Sequence, residues 1–286
     1  MFVHGADTPG LRTTAGRPRA KAILVTLLMV AACIPLLACH KAGVYRIPVS
    51  DADILRANEI SQEGESAFRR KEYYAALIKY LESVRINPNN EYVYNRLGMA
   101  YSQLRLFDDA VAAFERAIAL NQKYPYPYNN LGAVFFARRD LKKAEKHFKK
   151  AVKLREDEAT FHMNLGSVYL ERKKPEKAIA EWRKALALDP ASLSGDASAV
   201  MLSGGGRSMR ERSYYVARVR ASLGDAAGAV ESLKEAVSLG FDDIAQIKRE
   251  RDFDAIRHDE RFARFMEELP LLIRLRSGVG LPEGSK

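Results

Sequence analysis

Reactive and metal-binding side chains are scarce in this chain. Its 286 residues include two cysteines, five histidines and one tryptophan. Both cysteines, Cys33 and Cys39, lie close to the N-terminus, so the remainder has neither a disulfide framework nor a catalytic thiol. No two histidines are spaced as a metal pair, and no Gly-x-Ser-x-Gly elbow is present. The sequence therefore predicts a protein that is not an enzyme and that uses no metal, cofactor or small-molecule substrate.

The segment 1–38 is predicted to be a signal peptide rather than part of the fold. A basic stretch precedes residues 22–38, which carry no charge. This apolar run ends in Leu36-Leu37-Ala38-Cys39, which resembles the lipobox of bacterial lipoproteins. The resemblance implies cleavage before Cys39, a lipid on its thiol, and export to the bacterial cell envelope, at the outer membrane facing the periplasm. Plain secretion and an uncleaved anchor are the alternatives.

A constant sequence interval organises the middle of the chain. Leu-Gly pairs begin at Leu97, Leu131 and Leu165, at equal separations. Small residues and aromatics recur at the same interval, at Ala76, Ala110, Ala144 and Ala178 and at Tyr80, Phe114, Phe148 and Trp182. Apolar residues within each unit follow a helical period, so each unit is expected to hold two helices.

This pattern resembles that of the tetratricopeptide repeat family, whose unit is about 34 residues long. The resemblance implies an all-α fold, a right-handed α-solenoid of helix-turn-helix repeats closed by a helical C-terminal cap. The glycine of each unit would let its two helices approach closely, and the aromatic would fill the space between neighbouring units. The predicted organisation is a tether over 39–56, repeats over 57–90, 91–124, 125–158 and 159–192, a flexible loop over 193–209, a degenerate repeat with the cap over 210–270, and a frayed tail over 271–286.

The resemblance also implies where a partner binds. In this family the first helix of each repeat lines a concave groove, and the groove positions here include Tyr92, Asn95, Arg96, Tyr126, Asn129, Asn130 and Asn164. Asparagine can donate and accept hydrogen bonds at once, which suits the amide groups of an extended peptide. We expect these side chains to face solvent in the free protein, so that their loss weakens binding with little change in stability. The alternative is that asparagine merely tolerates a solvated wall.

Basic residues crowd the third and fourth repeats. Those of the third are Arg138, Arg139, Lys142, Lys143, Lys146, Lys149, Lys150, Lys153 and Arg155. They are predicted to lie mostly on outer helices and turns, either as a solvated face or in contact with anionic lipid head groups or an acidic partner. Nucleic acid is not expected, because aromatics are not interleaved with the basic run.

Taken together, these patterns favour a non-catalytic adaptor that holds a protein or peptide partner in its groove. The membrane tether would place it in the assembly or regulation of an envelope complex. A second interpretation is an accessory subunit that docks on an enzyme, an acidic wall polymer or lipid head groups through its basic outer face. His162 occupies the place of Tyr94 and Tyr128 in the sister repeats, so a packing role is expected for it rather than a catalytic one.

Overall fold

A computed structural model of the chain describes residues 46–193 and 206–276, and every regular element within these two ranges is helical. The predicted signal peptide and the lipid site at Cys39 lie outside the described residues. Residues 44–286 form one compact unit. Its elements are α1 (Asp51–Arg69), α2 (Tyr73–Ile86), α3 (Glu91–Gln103), α4 (Phe107–Leu120), α5 (Tyr126–Ala137), α6 (Leu141–Leu154), α7 (Ala159–Glu171), α8 (Pro175–Leu188), α9 (Gly206–Ser222), α10 (Ala226–Ser238), α11 (Ile244–Arg249), a 3-10 helix (Arg251–Ile256) and α12 (Glu260–Arg276).

The helices pack as consecutive pairs. Each first helix lies against the second helix of its own repeat, and each second helix also lies against the first helix of the next repeat. Side-chain caps start some of them: the side-chain oxygen of Asn90 accepts from two backbone N–H groups of α3, and the Asp140 carboxylate accepts from Lys143 N at 3.1 Å. The predicted all-α stack of helix-turn-helix repeats is confirmed.

A left-handed residue makes the turn inside each regular repeat. Lys71, Arg105, Arg139 and Lys173 have φ between 56° and 62°, and they are separated by the repeat interval. The next N–H closes the turn by bonding back to the preceding helix, as from Glu72 N to Ala67 O at 3.0 Å. In the fifth repeat a glycine, Gly224, takes this place with φ 79°. The regular repeats therefore hold long basic side chains in a conformation that favours glycine.

Close contact between paired helices depends on the glycine of each repeat. A Cβ added at Gly98 would lie 2.5 Å from the ring of Phe114, and one added at Gly132 would lie 2.7 Å from Phe148. Each ring thus sits directly on the glycine of its own repeat. Phe114 also belongs to one buried cluster with Leu131 and Val134 of the next repeat. The aromatic therefore packs both within its own repeat and against its neighbour.

The predicted tether is too long at its C-terminal end. Helix α1 begins at Asp51, so residues 51–56 are helical, and the tether prediction over 39–56 is wrong for them. Ser50 caps this helix, with its hydroxyl accepting from Asp53 N at 3.1 Å. Before it, the Asn89 side chain bonds both backbone groups of Ile47, at 3.1 and 2.5 Å.

The predicted loop and tail also include helical residues. Helix α9 starts at Gly206, so the last part of the predicted loop, 206–209, is helical. Helix α12 continues through Pro270 to Arg276, although a proline inside a helix costs about 3 kcal/mol. Leu272 and Ile273 pack against the C-terminal core, and the Arg276 guanidinium donates to Val237 O at 3.0 Å. These contacts hold the helix together beyond the proline.

A buried arginine joins the C-terminal part to the fourth repeat. Arg218 of α9 contacts the carboxylates of Glu176, Glu250 and Asp252 at 3.6, 3.2 and 2.9 Å. Beside it, the C-terminal core buries Phe253 of the 3-10 helix together with Phe262, Phe265 and Leu269 of the predicted cap. Among the helices of the two described ranges, none has the length and apolarity needed to cross a membrane.

Candidate binding groove

An open cleft of about 510 Å³ runs along the first helices of the second, third and fourth repeats. Its polar wall includes Asn129, Asn130 and Asn164, three of the predicted groove residues. The other predicted residues, Tyr92, Asn95, Arg96 and Tyr126, do not line it. Helices α3, α5 and α7 stack side by side, which brings residues one repeat apart to the same wall.

The asparagines are bonded to one another rather than to solvent. Asn95, Asn129 and Asn164 are 4%, 8% and 5% exposed. The Asn130 amide donates to Asn95 Oδ1 at 2.9 Å. The Asn164 amide donates to Asn129 Oδ1 at 2.8 Å. A longer contact of 3.5 Å from Asn129 to Asn130 joins the two bonds into one chain across three repeats, which we call the asparagine chain.

The expectation that these asparagines face solvent in the free protein is therefore wrong for Asn95, Asn129 and Asn164, while Asn130 is half-buried. Each lies where a first helix meets the first helix of the next repeat, so its amide is enclosed by neighbouring side chains. An amide with a donor and an acceptor can satisfy the same group one repeat away, which makes asparagine suited to this buried contact. Replacing these residues will consequently affect stability as well as binding.

One acceptor of the asparagine chain has no partner. Asn164 Oδ1 is buried and has no hydrogen-bond partner within the described part of the chain. A buried acceptor left without a donor costs about 1–3 kcal/mol. Asn164 also lines the cleft, so this unsatisfied oxygen lies behind the cleft wall.

Apolar side chains form most of the remaining cleft wall. Met99, Phe107, Ala133 and Met163 all line it. Arg105 supplies the one basic side chain among the lining residues, and its guanidinium lies 5.6 Å from the centre of the Phe107 ring. The cleft thus offers apolar contact, a cation, and the polar side chains of Ser102, Gln103 and Thr160 beside the asparagines. A thioether wall adapts easily to different apolar side chains.

The two predicted tyrosines belong to a separate aromatic row. Tyr92, Tyr124, Tyr126 and Phe161 contact one another edge to face, with ring centroids 4.9, 5.6 and 5.5 Å apart in that order. Arg155 lies over Tyr126 at 5.3 Å and donates to its hydroxyl at 2.8 Å. Burial raises the pKa of Tyr124 to about 12. We define these four rings as the aromatic row.

The sequence interpretation missed Tyr124, which links the row to the asparagine chain. The amide of Asn95 lies 3.5 Å from the Tyr124 hydroxyl. The available signal was its position just before Tyr126, at the junction of two repeats. Arg96 does not line the cleft either: its guanidinium is 3.2 Å from the Glu65 carboxylate of the first repeat and 3.8 Å from Met99 Sδ at the cleft wall. The predicted groove residues thus divide among the cleft wall, the aromatic row and this ion pair.

His162 is buried outside the cleft and holds two segments together. Its Nδ1 lies 2.6 Å from Glu181 Oε2, and its Nε2 lies 2.9 Å from Glu156 O. Both partners are acceptors, so the protonated ring satisfies both contacts. The hydrogen bond with Glu181 raises the pKa of His162 above its usual value. No group of residues in the described ranges is arranged to hold a metal ion.

Comparison with known proteins agrees with this geometry. Two family models, each described as tetratricopeptide repeat, match residues 91–157 and 129–192. Residues 91–192 therefore match the tetratricopeptide repeat family, and a fold of this kind supports a protein–protein interaction scaffold.

Two curated relatives and one solved structure illustrate the similarity. The small glutamine-rich tetratricopeptide repeat-containing protein 2 of Saccharomyces cerevisiae is 34% identical over 73 residues, which are 25% of this chain and 21% of that protein. Its namesake in Mycosarcoma maydis is 32% identical over 62 residues, 22% of this chain and 18% of that protein. This chain therefore spans about a fifth of the length of these relatives. The structure of Pseudomonas aeruginosa pilF aligns with a TM-score of 0.54 at 16% identity, covering 80% of this chain and all of that one, and shows the fold alone.

Proposed function

We propose that the chain is a non-catalytic adaptor whose cleft binds an extended segment of a partner protein. An apolar side chain of that segment enters between Met99 and Met163. A backbone N–H donates to Asn164 Oδ1 once a small movement of the Asn164 side chain brings this buried oxygen to the cleft surface. The observation that carries this proposal is the buried, unpartnered Asn164 Oδ1 beside Met99, Phe107 and Met163 in the cleft wall within the described ranges. A peptide backbone supplies N–H donors at regular spacing beside apolar side chains, so it matches both features.

The asparagine chain limits what the partner can gain from this wall. Asn95, Asn129 and Asn130 already bond each other, so they offer few free groups to a ligand. Recognition then depends on one backbone contact and on how well an apolar side chain fills the cleft. The site should therefore accept partner segments of different sequence, provided that they carry this apolar side chain.

We further propose that the adaptor acts at the bacterial cell envelope as a lipoprotein anchored through Cys39. Support comes from the sequence Leu36-Leu37-Ala38-Cys39 and from the apolar run before it. Cys39→Ser should leave a folded protein that no longer partitions with membranes. Unchanged fractionation, together with no lipid-sized mass on the N-terminal peptide, would exclude the anchor.

The cleft proposal is tested by selecting peptides and then blocking the cleft. A displayed peptide library is selected on the purified protein, and the affinity of a selected peptide is measured by fluorescence anisotropy. Ala137→Arg places a long side chain at the cleft wall and should abolish binding. Ala112→Arg, on the exposed side of α4, is the matched control and should bind as the parent does.

The hydrogen bond to Asn164 is tested on the peptide itself. Methylating one backbone nitrogen at a time removes one donor, and a single position should weaken binding to the parent protein about tenfold. The same methyl group should cost little in Asn164→Ala, because the acceptor is already gone. Equal losses in both proteins would refute this contact while leaving the cleft as the binding site.

A further inference from the structure

Helix α6 carries a row of exposed lysines on its solvent side. Lys142, Lys146, Lys150 and Lys153 are all exposed. Their spacing of four, four and three positions places them along one face of the helix. None of the four forms an ion pair with any residue of the described ranges. We call these four residues the lysine row.

The fold itself does not require lysine at these positions. The residues one repeat earlier, at the same places on α4, are Asp108, Ala112, Arg116 and Ala119, and those one repeat later, on α8, are Glu176, Ala180, Lys184 and Ala187. On α2 they are Tyr74, Ile78, Glu82 and Arg85. Of these four helices, α6 alone is cationic at all four places, so the row is a property of this repeat rather than of the repeat family pattern.

The two acidic groups at the start and on the inner side of this helix pair with other cations. The Asp140 carboxylate pairs with Lys143 at 3.2 Å. The buried carboxylate of Glu145 contacts Lys149 at 2.5 Å and also contacts Arg172. The four ammonium groups of the lysine row therefore face solvent without an ion-pair partner in the described ranges.

The composition of this face identifies its partner chemistry. Its free charges are lysine ammonium groups, which are hydrated point charges. They lack the planar geometry by which an arginine guanidinium makes two parallel hydrogen bonds to one carboxylate. The rings beneath it are covered: Lys150 lies 5.7 Å from the Tyr128 centroid, and Lys143 lies 5.1 Å from that of Phe135. These rings are therefore not presented for base stacking, as single-stranded nucleic acid would require.

We propose that the lysine row binds the head groups of an anionic phospholipid bilayer. A bilayer supplies diffuse negative charge over a broad surface, and each lysine close to such a surface strengthens binding roughly fivefold. Because the row lies on a second helix and the cleft is lined largely by first helices, membrane contact leaves the cleft open to a partner. This surface does not depend on the peptide-binding proposal.

The test uses residues 44–286, the compact unit, so that the apolar run 22–38 cannot contribute. Binding is measured by co-sedimentation with vesicles of phosphatidylcholine containing phosphatidylglycerol and with vesicles of phosphatidylcholine alone. Replacing the four lysines of the row by glutamine should lower the partition coefficient for the anionic vesicles by at least tenfold. Moderate salt should have the same effect on the parent protein, because the attraction is screened.

The matched control removes the same charge elsewhere. Arg85, Lys123, Lys234 and Lys248 are exposed and form no ion pair within the described ranges, and their replacement by glutamine should change vesicle binding less than threefold. Equal losses in the two variants would mean that net charge alone acts, and would overturn the proposal. Equal binding to neutral vesicles would overturn it too, as would binding to polyglutamate without binding to vesicles.

Discussion

Side chains on the wall of the array differ between the first and second helices of the regular repeats: they are enclosed on the first helices and exposed on the second. On the first helices, Asn95, Asn129 and Asn164 are enclosed and bonded across repeats. On the second helices, the outward positions are exposed and change from Tyr74 and Ile78 in the first repeat to Lys142 and Lys146 in the third.

This difference has a physical origin. The first helices of successive repeats lie near one another, whereas the outward side of each second helix meets only solvent. A side chain on the inner wall is therefore selected for its fit to its neighbours as well as for any ligand. A side chain on the outer wall can change chemistry at almost no cost in stability.

The largest expected effect is the loss of stability when the two helices of one repeat are forced apart. Gly132→Leu places a side chain where a Cβ alone would lie 2.7 Å from Phe148. We expect the free energy of unfolding to fall by about 3 kcal/mol, since overpacking forces the ring or the backbone to move. Urea denaturation measures this, with the exposed Ala137→Leu as control. Similar midpoints for both variants would refute the close helix contact.

The next effect concerns the inner wall. Asn130→Ala removes the donor to Asn95 Oδ1 and leaves that buried acceptor unpaired. The expected loss is about 1–3 kcal/mol. Gln103→Ala, at an exposed residue that also lines the cleft, should change stability little. If both variants melt at the same temperature, the asparagine chain is solvated and the contrast between the inner and outer walls fails.

The third effect is a pH-dependent contribution of His162 to the free energy of unfolding, which the tyrosines at the same place in the other repeats do not make. The folded pKa of His162 is raised by Glu181, so its stabilisation is complete below the unfolded value of about 6.5 and is lost as pH rises through the folded pKa. His162→Gln should remove this part of the pH profile. Burial lowers the pKa of His147, so this residue makes a contribution of opposite sign to the pH dependence of stability. That contribution is the same in the parent protein and in His162→Gln. Urea unfolding from pH 5.5 to 8.5 tests the difference between them, and parallel profiles would contradict the ion pair.

The smallest effect should be a gain in stability when a left-handed turn residue is replaced by glycine. Lys71 has φ 62° and forms no ion pair within the described residues, so Lys71→Gly should stabilise the protein by about 0.5–1 kcal/mol. Arg85→Gly, inside α2, should instead destabilise it by about 1 kcal/mol. Calorimetry distinguishes the two signs. A loss of stability in both would mean that the Lys71 side chain contributes more than its backbone strain costs.

The repeats could be predicted from spacing, and the inner wall from the family resemblance that this spacing carries. The repeat interval indicated which helices pair, and the resemblance assigned Asn129, Asn130 and Asn164 to one wall. The burial of these side chains did not follow, because spacing gives the face of a helix but not the distance to its neighbour. Tyr124 was missed because it lies between two helices, where helical periodicity gives no information. The ends at Asp51 and Arg276 depend on capping and tertiary contacts, which the repeat pattern does not contain.

Arg218 gives the end of the array a mechanical property. A stack in which each repeat touches only its neighbours can open from its last unit inward. Here one guanidinium binds carboxylates of Glu176 on α8, Asp252 on the 3-10 helix and Glu250 just before it. Arg183 of α8 adds a second contact, 3.8 Å from the Asp252 carboxylate. Because these contacts join the terminal segment to the fourth repeat, we expect the fourth repeat and the C-terminal cap to yield together under tension.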